Sequence, residues 1–332
     1  MQFFSNTHID FLAKRKRFYI FSIAITLLGL VVALVRGVEF GIDFEGGAEA
    51  DVRFPAAVDL GEVRSALETA GFKGAEVKSG GETDVLIRVR NESLGGGDTA
   101  LATHLDAALE SSFPEHEVRE IRSVGPKIGK EMRTQALLAV LASIIVILIY
   151  IAIRFEWVYG LGAILALVHD VLMAFSFAVI FNGLFGLNLE VNQTMLAALL
   201  TVVGFSINDT VIIFDRIREN KTKHKGENLL MLINRSINET LPRTINTSLT
   251  VVLVLVVLLF FSGDALQGFA FTMLIGVLTG TYSSIFIASS FVVDTMMRQG
   301  KLDKNAESKF AEHVLETRQR IASARSASTP AK

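Results

Sequence analysis

Six nearly uncharged stretches dominate the sequence, and each is long enough to cross a lipid bilayer as a helix. About 20 apolar residues in a helix span the hydrocarbon core. A hydrophobic content of 51% and a mean hydropathy of +0.46 agree with this reading, since soluble globular chains are less apolar. The sequence therefore predicts an α-helical polytopic membrane protein. The expected spans cover residues 18–35, 134–153, 157–181, 191–214, 244–263 and 266–293.

The basic residues of the short flanks predict the orientation of these spans. Residues 215–243 hold seven Lys and Arg, whereas residues 182–190 and 264–265 hold none. Because Lys and Arg favour the cytoplasmic side, we expect the N-terminal segment 1–17, the basic loop and the tail 294–332 to be cytoplasmic. The first span has 18 residues, beyond the roughly 7–15 of a cleaved signal, and is expected to remain as a helix.

Two of the cytoplasmic segments have helical patterns. Apolar side chains recur at every fourth position from Leu229 to Leu241. This pattern predicts an amphipathic helix on the inner face of the membrane, with Pro242 starting the fifth span. The tail 294–332 predicts a short helix followed by a disordered end rich in Ser and Ala.

Residues 36–133 differ sharply in composition from their flanks, with 19 acidic and 12 basic residues. Their patterns follow the order β-α-β-β-α-β, which predicts a ferredoxin-like α+β domain in the periplasm. His104 and His116 are expected to be solitary and to face solvent, so the domain is interpreted as a contact surface rather than an enzyme. The expected strands cover 49–54, 75–78, 85–90 and 118–123, and the expected helices cover 58–70 and 99–110.

Several function classes have no support in the sequence. Zero cysteines exclude disulfides and cysteine-ligated metals. Residues 125–131 have neither the spacing nor the hydroxyl of a phosphate-binding loop. We therefore expect no cofactor, no metal and no nucleic-acid partner. The glycine motifs at residues 40–47 and 124–126 indicate ordinary linkers, in which Pro126 restricts Gly125 to an extended conformation.

Asp209 is the most informative residue, because it stands alone within about 23 otherwise uncharged residues of the fourth span. An Asp at the centre of a membrane helix costs roughly 2.5 to 3.5 kcal/mol, so such a residue usually serves ion or proton movement. The competing interpretation is an acid near the helix end that reaches headgroup water, since Asp215 follows about 9 Å further along the helix. We expect Asp209 to carry the coupling ion.

The fifth span places a polar stripe in its cytoplasmic half. Thr247 and Thr250 follow Arg243 at i+4 and i+7, on one helical face. A nearby cation favours the charged form of Asp209, whereas burial favours the neutral form. Arg216 competes as the ion-pair partner, but it can reach water, so Arg243 is the favoured partner. Asn208, beside Asp209, is a further candidate polar residue.

The third and sixth spans also carry unusual residues. His169 and Asp170 lie mid-membrane, and since neighbours on a helix are 100° apart, they are not expected to point at one small target. Proton relay and structural bonding between helices both remain open for this pair. Gly276 and Gly280, four residues apart, predict close packing against another helix, in this chain or in a partner.

Motifs in order along the chain identify it as a relative of a known family. It resembles the SecF family, the smaller partners in the SecD–SecF accessory complex of the bacterial Sec translocon. The resemblance covers residues 8–294. The sequence departs from the family pattern only at Phe205, where the family has Tyr, and at Phe291, where the family often has Pro. The motifs are FGIDFEGG, VGPKIG, RFEW, HD, FSINDTVIIFDRIREN, LPRTINTSLT and GTYSSIFIAS.

The resemblance implies a six-helix inner-membrane protein that forms half of a resistance-nodulation-division transporter, with SecD supplying the other half. It further implies SecYEG, YajC and YidC as associates, an unfolded preprotein as substrate and the proton motive force as driver. Asp209, Arg243 and Thr247 would then be the proton-transport residues. Sodium in place of the proton remains open.

Three further functions remain open on sequence grounds. Asp170 and Asp209 on neighbouring spans allow an intramembrane aspartyl protease, in which two carboxylates share a proton. The second is a proton-coupled exporter of small molecules. The third is a passive scaffold, in which Asp209 and Arg243 form only a structural pair.

Overall fold

The computed structural model describes residues 7, 9–72, 74–81, 83–89, 97–262, 264–300, 310, 312, 314–316 and 319. The predicted disordered end of the tail lies outside these residues. Six of the described helices are long and apolar enough to cross a membrane, which confirms the predicted number of spans. In chain order the elements are α1 (Arg15–Arg36), α2 (Ile42–Glu45), β1 (Gly47–Arg53), α3 (Leu60–Thr69), β2 (Glu76–Ser79), β3 (Asp84–Val89), α4 (Gly97–Glu110), β4 (Glu117–Val124), α5 (Pro126–Arg154), α6 (Trp157–Phe181), α7 (Gln193–Lys223), α8 (Leu229–Phe261), α9 (Asp264–Ser283) and α10 (Ser289–Arg298), with a π-helical turn, Ser284–Ala288, between the last two.

The helical bundle is organised around α6, α7 and the α9–α10 helix. In the most apolar 18-residue segment of Leu266–Arg298, 72% of the residues are buried within the chain. In the corresponding segment of α5 only 6% are buried, so α5 presents an apolar surface suited to lipid or a partner. Gly276 and Gly280 lie against α7, where an added Cβ would come 2.0 Å from Val202 and 3.2 Å from Ser206. The predicted close packing thus occurs within this chain.

α8 differs from the sequence-based expectation. Pro242 does not start a helix but lies inside α8, which begins at Leu229 after Asn228, whose side chain accepts a hydrogen bond from Leu230 N (2.9 Å). The apolar side chains of its first turns do not face lipid headgroups. Ile233 and Ile237 are fully buried in a core formed with α7 and the N-terminal segment. This packing keeps the helix continuous through a residue that cannot donate a backbone hydrogen bond.

The sheet domain has the β-α-β-β-α-β order read from the sequence. Its sheet is antiparallel throughout, with strand order β2-β3-β1-β4, so that Ala50 lies opposite both Ile87 and Ile121. α3 and α4 cover one face and bury a core with Leu67 and Leu105, both of which are fully buried. The other face carries charged side chains and lies towards the membrane helices, since Glu49 and Arg122 line one pocket with Phe261 at the end of α8.

The glycine motifs that flank this domain are docked, rather than being ordinary linkers. Gly41 N donates to Val191 O (3.0 Å) just before α7. Gly46 has a φ of +77°, and an added Cβ would lie 3.0 Å from the Cα of Pro126. Gly125 is extended, as Pro126 predicts. The chain therefore enters and leaves the domain through close backbone contacts with the membrane region.

Candidate functional site

Asp209 lies in the interior of α7 and is 1% exposed. Its Oδ2 has no hydrogen-bond partner among the described residues. A buried carboxylate oxygen without a donor is costly, and the cost falls if the group binds a proton or a cation. Asp209 is thus the membrane acid best placed to exchange an ion.

Arg243 acts electrostatically on Asp209, but no direct ion pair joins the two in the described part of the chain. The competing Arg216 is engaged elsewhere, since it binds Glu239 (2.6 Å) and Glu219 (2.7 Å). The geometry leaves Arg243 as the cation acting on Asp209, whereas a direct ion pair between them stays a prediction.

The polar stripe of α8 lies on the outside of this chain. Arg243, Thr247 and Thr250 are exposed, and Asn208 on α7 is exposed as well. The two threonine hydroxyls bond only back to their own helix, Thr247 to Arg243 O (3.0 Å) and Thr250 to Thr247 O (2.8 Å). Since polar groups at membrane depth normally face protein or water, this face requires a cover that the described residues do not provide.

Asp170 sits in a different environment, in which its carboxylate is fully engaged. It is 0% exposed and accepts hydrogen bonds from Ser206, at short distance, and from Ser283 (2.7 Å). His169 Nδ1 lies 2.8 Å from its other oxygen. The imidazole folds back onto the neighbouring carboxylate. Beyond this contact the two side chains reach different partners, Tyr282 for His169 and the two serines for Asp170, so they do not share one small target, as predicted.

This cluster continues to the first helix. Tyr282 Oη lies 2.8 Å from His169 Nε2 and 2.6 Å from Ser22 Oγ. With Nδ1 donating to Asp170, Nε2 accepts from Tyr282, which in turn accepts from Ser22. The chain of hydrogen bonds thus links α1, α6, α7 and α9 and ends in one carboxylate.

Four hydroxyl residues of this cluster were not predicted from the sequence, namely Ser22, Ser206, Tyr282 and Ser283. The only sequence pattern that could have indicated them is a hydroxyl side chain within an apolar helix. Such side chains also occur at many positions that have no part in a functional site. Asp170 hydrogen-bonds to serines and not to Asp209, so the shared-proton contact of an aspartyl protease is not formed.

A second charged cluster, also missed, joins the sheet domain to the membrane region. Glu190, in the loop before α7, is 4% exposed and binds Lys78 (2.5 Å) and, at short distance, Arg88. Arg88 also binds Glu49 (2.8 Å). Burial alone would lower the pKa of Lys78, but its hydrogen bonds with Glu190 and Glu39 outweigh burial and raise it. Lys78 therefore remains charged at neutral pH.

The two histidines of the domain differ from each other. His104 is exposed, as expected. His116 is neither solitary nor solvent-facing, because its side chain is 1% exposed and its Nε2 lies 3.1 Å from Asp106 Oδ1. Sequence reading missed this contact, since Asp106 is ten positions away.

Comparison with known families identifies relatives over nearly the whole chain. The family model described as "Protein export membrane protein SecD/SecF, C-terminal" matches residues 104–298. A protein translocase subunit SecF from Rhodothermus marinus is 41% identical over 303 residues, covering 90% of this chain and 96% of the relative. SecF from Gemmatimonas aurantiaca is 40% identical and covers 92% of both chains.

Solved structures give the same result. The crystal structure of SecDF from Thermus thermophilus superposes with a TM-score of 0.79 at 34% identity, covering 89% of this chain. This chain spans only 39% of that longer chain. A second SecDF structure, in a "super-membrane-facing form", has the same identity and coverage of this chain but a TM-score of 0.64.

Proposed function

The chain belongs to the SecF family of protein translocase subunits, and we propose that, with a SecD partner, it uses the proton motive force to promote preprotein translocation and release across the bacterial inner membrane. Asp209 is the proton carrier in this proposal, with Arg243 and Thr247 as its functional partners. Asn208 and Thr250 extend the polar path.

The observation that carries this proposal is the buried oxygen of Asp209, which has no hydrogen-bond partner among the described residues. A carboxylate held in that state accepts a proton readily and is stabilised as an anion when Arg243 approaches. Movement of α8 relative to α7 would switch between these states. Proton uptake and helix movement are then coupled.

The exposed polar stripe supports a SecD partner. Arg243, Thr247 and Thr250 would face lipid if the chain were alone, and a second six-helix half would cover them. Such a pairing is that of a resistance-nodulation-division transporter, with each chain supplying half. SecYEG, YajC and YidC are the expected associates, and the bilayer surrounds the pair.

The sheet domain, which we interpret as a ferredoxin-like sandwich, would lie in the periplasm with both chain termini in the cytoplasm. Its role would be contact with SecD or with the unfolded preprotein. One proton crossing the membrane releases about 2.3 kcal/mol per 100 mV, so a few protons bias a domain equilibrium of a few kcal/mol.

The test is proton flux in vesicles that contain this chain and its SecD partner. We expect substrate-dependent acidification with the unmodified chain, at least a tenfold loss with Asp209→Asn and partial retention with Asp209→Glu. Asp215→Asn is the matched control, because Asp215 lies six residues further along α7 and is already paired with Arg154 (2.7 Å).

Copurification of SecD separates the proton carrier from a scaffold. If Asp209→Asn retains SecD but loses flux, the carrier role stands, whereas equal flux in both proteins would overturn it. If Asp209→Asn lost both SecD binding and proton flux, Asp209 and Arg243 would form only a structural pair. Repeating the assay in sodium-free buffer decides the coupling ion.

A further inference from the structure

We propose that the sheet domain contains a site for a divalent metal ion of the zinc type, formed by His116, Asp106 and Glu110. These three side chains offer one imidazole nitrogen and two carboxylates, with ligand atoms all within 4.8 Å of one another. The site lies where α4 ends and the chain turns into β4. It is separate from the membrane residues that carry the proposed proton path.

The orientation of His116 is the first argument. Its Nδ1 lies 2.7 Å from Phe113 O, and a carbonyl only accepts, so Nδ1 carries the proton. Nε2 therefore presents a lone pair. A metal-bound histidine typically donates its other ring N–H to a backbone carbonyl in this way, which fixes the tautomer needed for ligation.

The burial of that lone pair is the second argument. The His116 side chain is 1% exposed and packs beside Phe54, with ring centroids 6.5 Å apart. Nε2 has no hydrogen-bond partner in the part of the chain that the structure describes, although Asp106 Oδ1 is 3.1 Å away. Two acceptors that face each other without a proton between them repel, and a cation between them removes the repulsion.

The geometry matches the size of a zinc site. Ligands at about 2.0–2.1 Å in a tetrahedron are separated by about 3.3 Å, close to the observed His116–Asp106 distance. Asp106 and Glu110 are exposed and four residues apart on α4, so Glu110 can approach the same point from one turn further on. Three protein ligands leave a fourth position for water.

The ligand set also selects the class of ion. Imidazole binds zinc and similar transition metals well, whereas calcium and magnesium prefer sites made of oxygen ligands alone. A bound ion would join α4 to the turn that follows it. This link would hold the edge strand β4 in place beside β1.

Metal binding by the full chain tests the proposal directly. The protein is purified in detergent, freed of affinity tag and metal, and titrated with Zn²⁺ by calorimetry and with Co²⁺ by visible spectroscopy. We expect one ion per chain and the intense visible bands of low-coordinate Co²⁺. His116→Gln should weaken Zn²⁺ binding at least about 100-fold, more than loss of an outer-shell partner does.

The carboxylates and two controls complete the test. Asp106→Asn and Glu110→Gln should each weaken binding at least about tenfold. Both are surface positions, so they test the site even if His116→Gln fails to fold. His104→Gln and Glu68→Gln, at exposed positions of the same domain, should change nothing. Absence of binding at micromolar Zn²⁺, or binding that survives the three ligand substitutions, would overturn the site and leave only a His116–Asp106 ion pair.

Discussion

Asp170 and Asp209 show two ways of keeping a carboxylate among membrane helices. Asp170 is surrounded by donors, from Ser206, Ser283 and His169, so its burial is compensated. Asp209 has an oxygen without a hydrogen-bond partner among the described residues. The compensated acid is suited to holding helices together, and the uncompensated acid is suited to exchanging an ion. This contrast favours the structural role for the His169–Asp170 pair.

Ser283→Ala tests the structural role of the Asp170 cluster. The substitution removes one donor to a buried carboxylate, and hydrogen bonds to charged groups contribute about 1.5–3 kcal/mol. We expect a clearly lower melting temperature for the purified chain in detergent. Proton flux with SecD should fall much less than with Asp209→Asn.

Thr272→Val provides the matched control on the same helix. The Thr272 hydroxyl is buried and lacks a hydrogen-bond partner among the described residues, so its replacement by a methyl group should leave the melting temperature unchanged or higher. If Ser283→Ala left stability intact but abolished flux, the cluster would be part of the proton relay instead.

At the scale of single residues, the sequence identifies charges better than their partners. Asp209 was recognisable because a lone acid in an apolar span has few ordinary explanations. Tyr282 and Ser206 were not, since only the packing of α7 and α9 on α6 decides which hydroxyls meet Asp170. His116 was misjudged for the same reason, because its neighbour Asp106 is brought near by the turn after α4.

Helix packing between α7 and α9 depends on Gly276. An added Cβ there would lie 2.0 Å from a methyl of Val202 and 2.9 Å from its Cβ, and a β-branched side chain has little freedom to move away. Gly276→Ala should therefore destabilise the chain by about 1–3 kcal/mol, the usual cost of overpacking. Melting temperature and elution as a single species in detergent measure the effect.

Two further variants make the test of Gly276 specific. Val202→Ala combined with Gly276→Ala should recover part of the lost stability, because it removes the atoms that clash. Gly204→Ala, on α7, meets nothing within 4 Å and should be neutral or stabilising by about 0.5–1 kcal/mol. Equal losses for Gly204→Ala and Gly276→Ala would mean that helix propensity, not packing, decides the outcome.

Elements were more predictable from the sequence than their ends and contacts. Periodicity gave the order of strands and helices, since alternation and four-residue repeats follow directly from backbone geometry. It divided α8 into two helices at Pro242, because proline is a strong local helix-boundary signal. Tertiary packing of Ile233 and Ile237 in the core overrides that signal.

For the molecule as a unit, the sequence distinguishes a charged domain from the apolar spans. It does not indicate how the two are joined. The ion pairs of Glu190 with Lys78 and Arg88 connect residues about one hundred positions apart, a distance at which no pattern operates. The composition of residues 36–133 shows only an excess of acids. The junction therefore had to be seen in three dimensions.

Glu190→Gln should loosen the sheet domain from the membrane region. Breaking a buried ion pair from one side costs about 3 kcal/mol, because Lys78 and Arg88 lose their shared anion.

Lower pH should also weaken the contact between the sheet domain and the membrane region, through protonation of Glu39. Partial burial raises the pKa of Glu39, but its hydrogen bond with Lys78 outweighs burial and leaves the pKa below the ordinary 4.5. Its stabilising contribution is thus present above pH 4.5 and is lost as pH falls through the lowered pKa.

Spin-label distances measure this loosening, because the chain has no cysteine of its own. Labels on Ser65→Cys in α3 and Phe185→Cys in the loop after α6, both exposed, report the distance between domain and membrane region. Glu190→Gln should broaden the distance distribution. Asp84→Asn is the matched control, since Asp84 pairs with Arg53 (2.7 Å) inside the sheet and does not cross the junction. A narrow distribution in both variants would show that the docked glycine motifs, and not the charges, hold the domain in place.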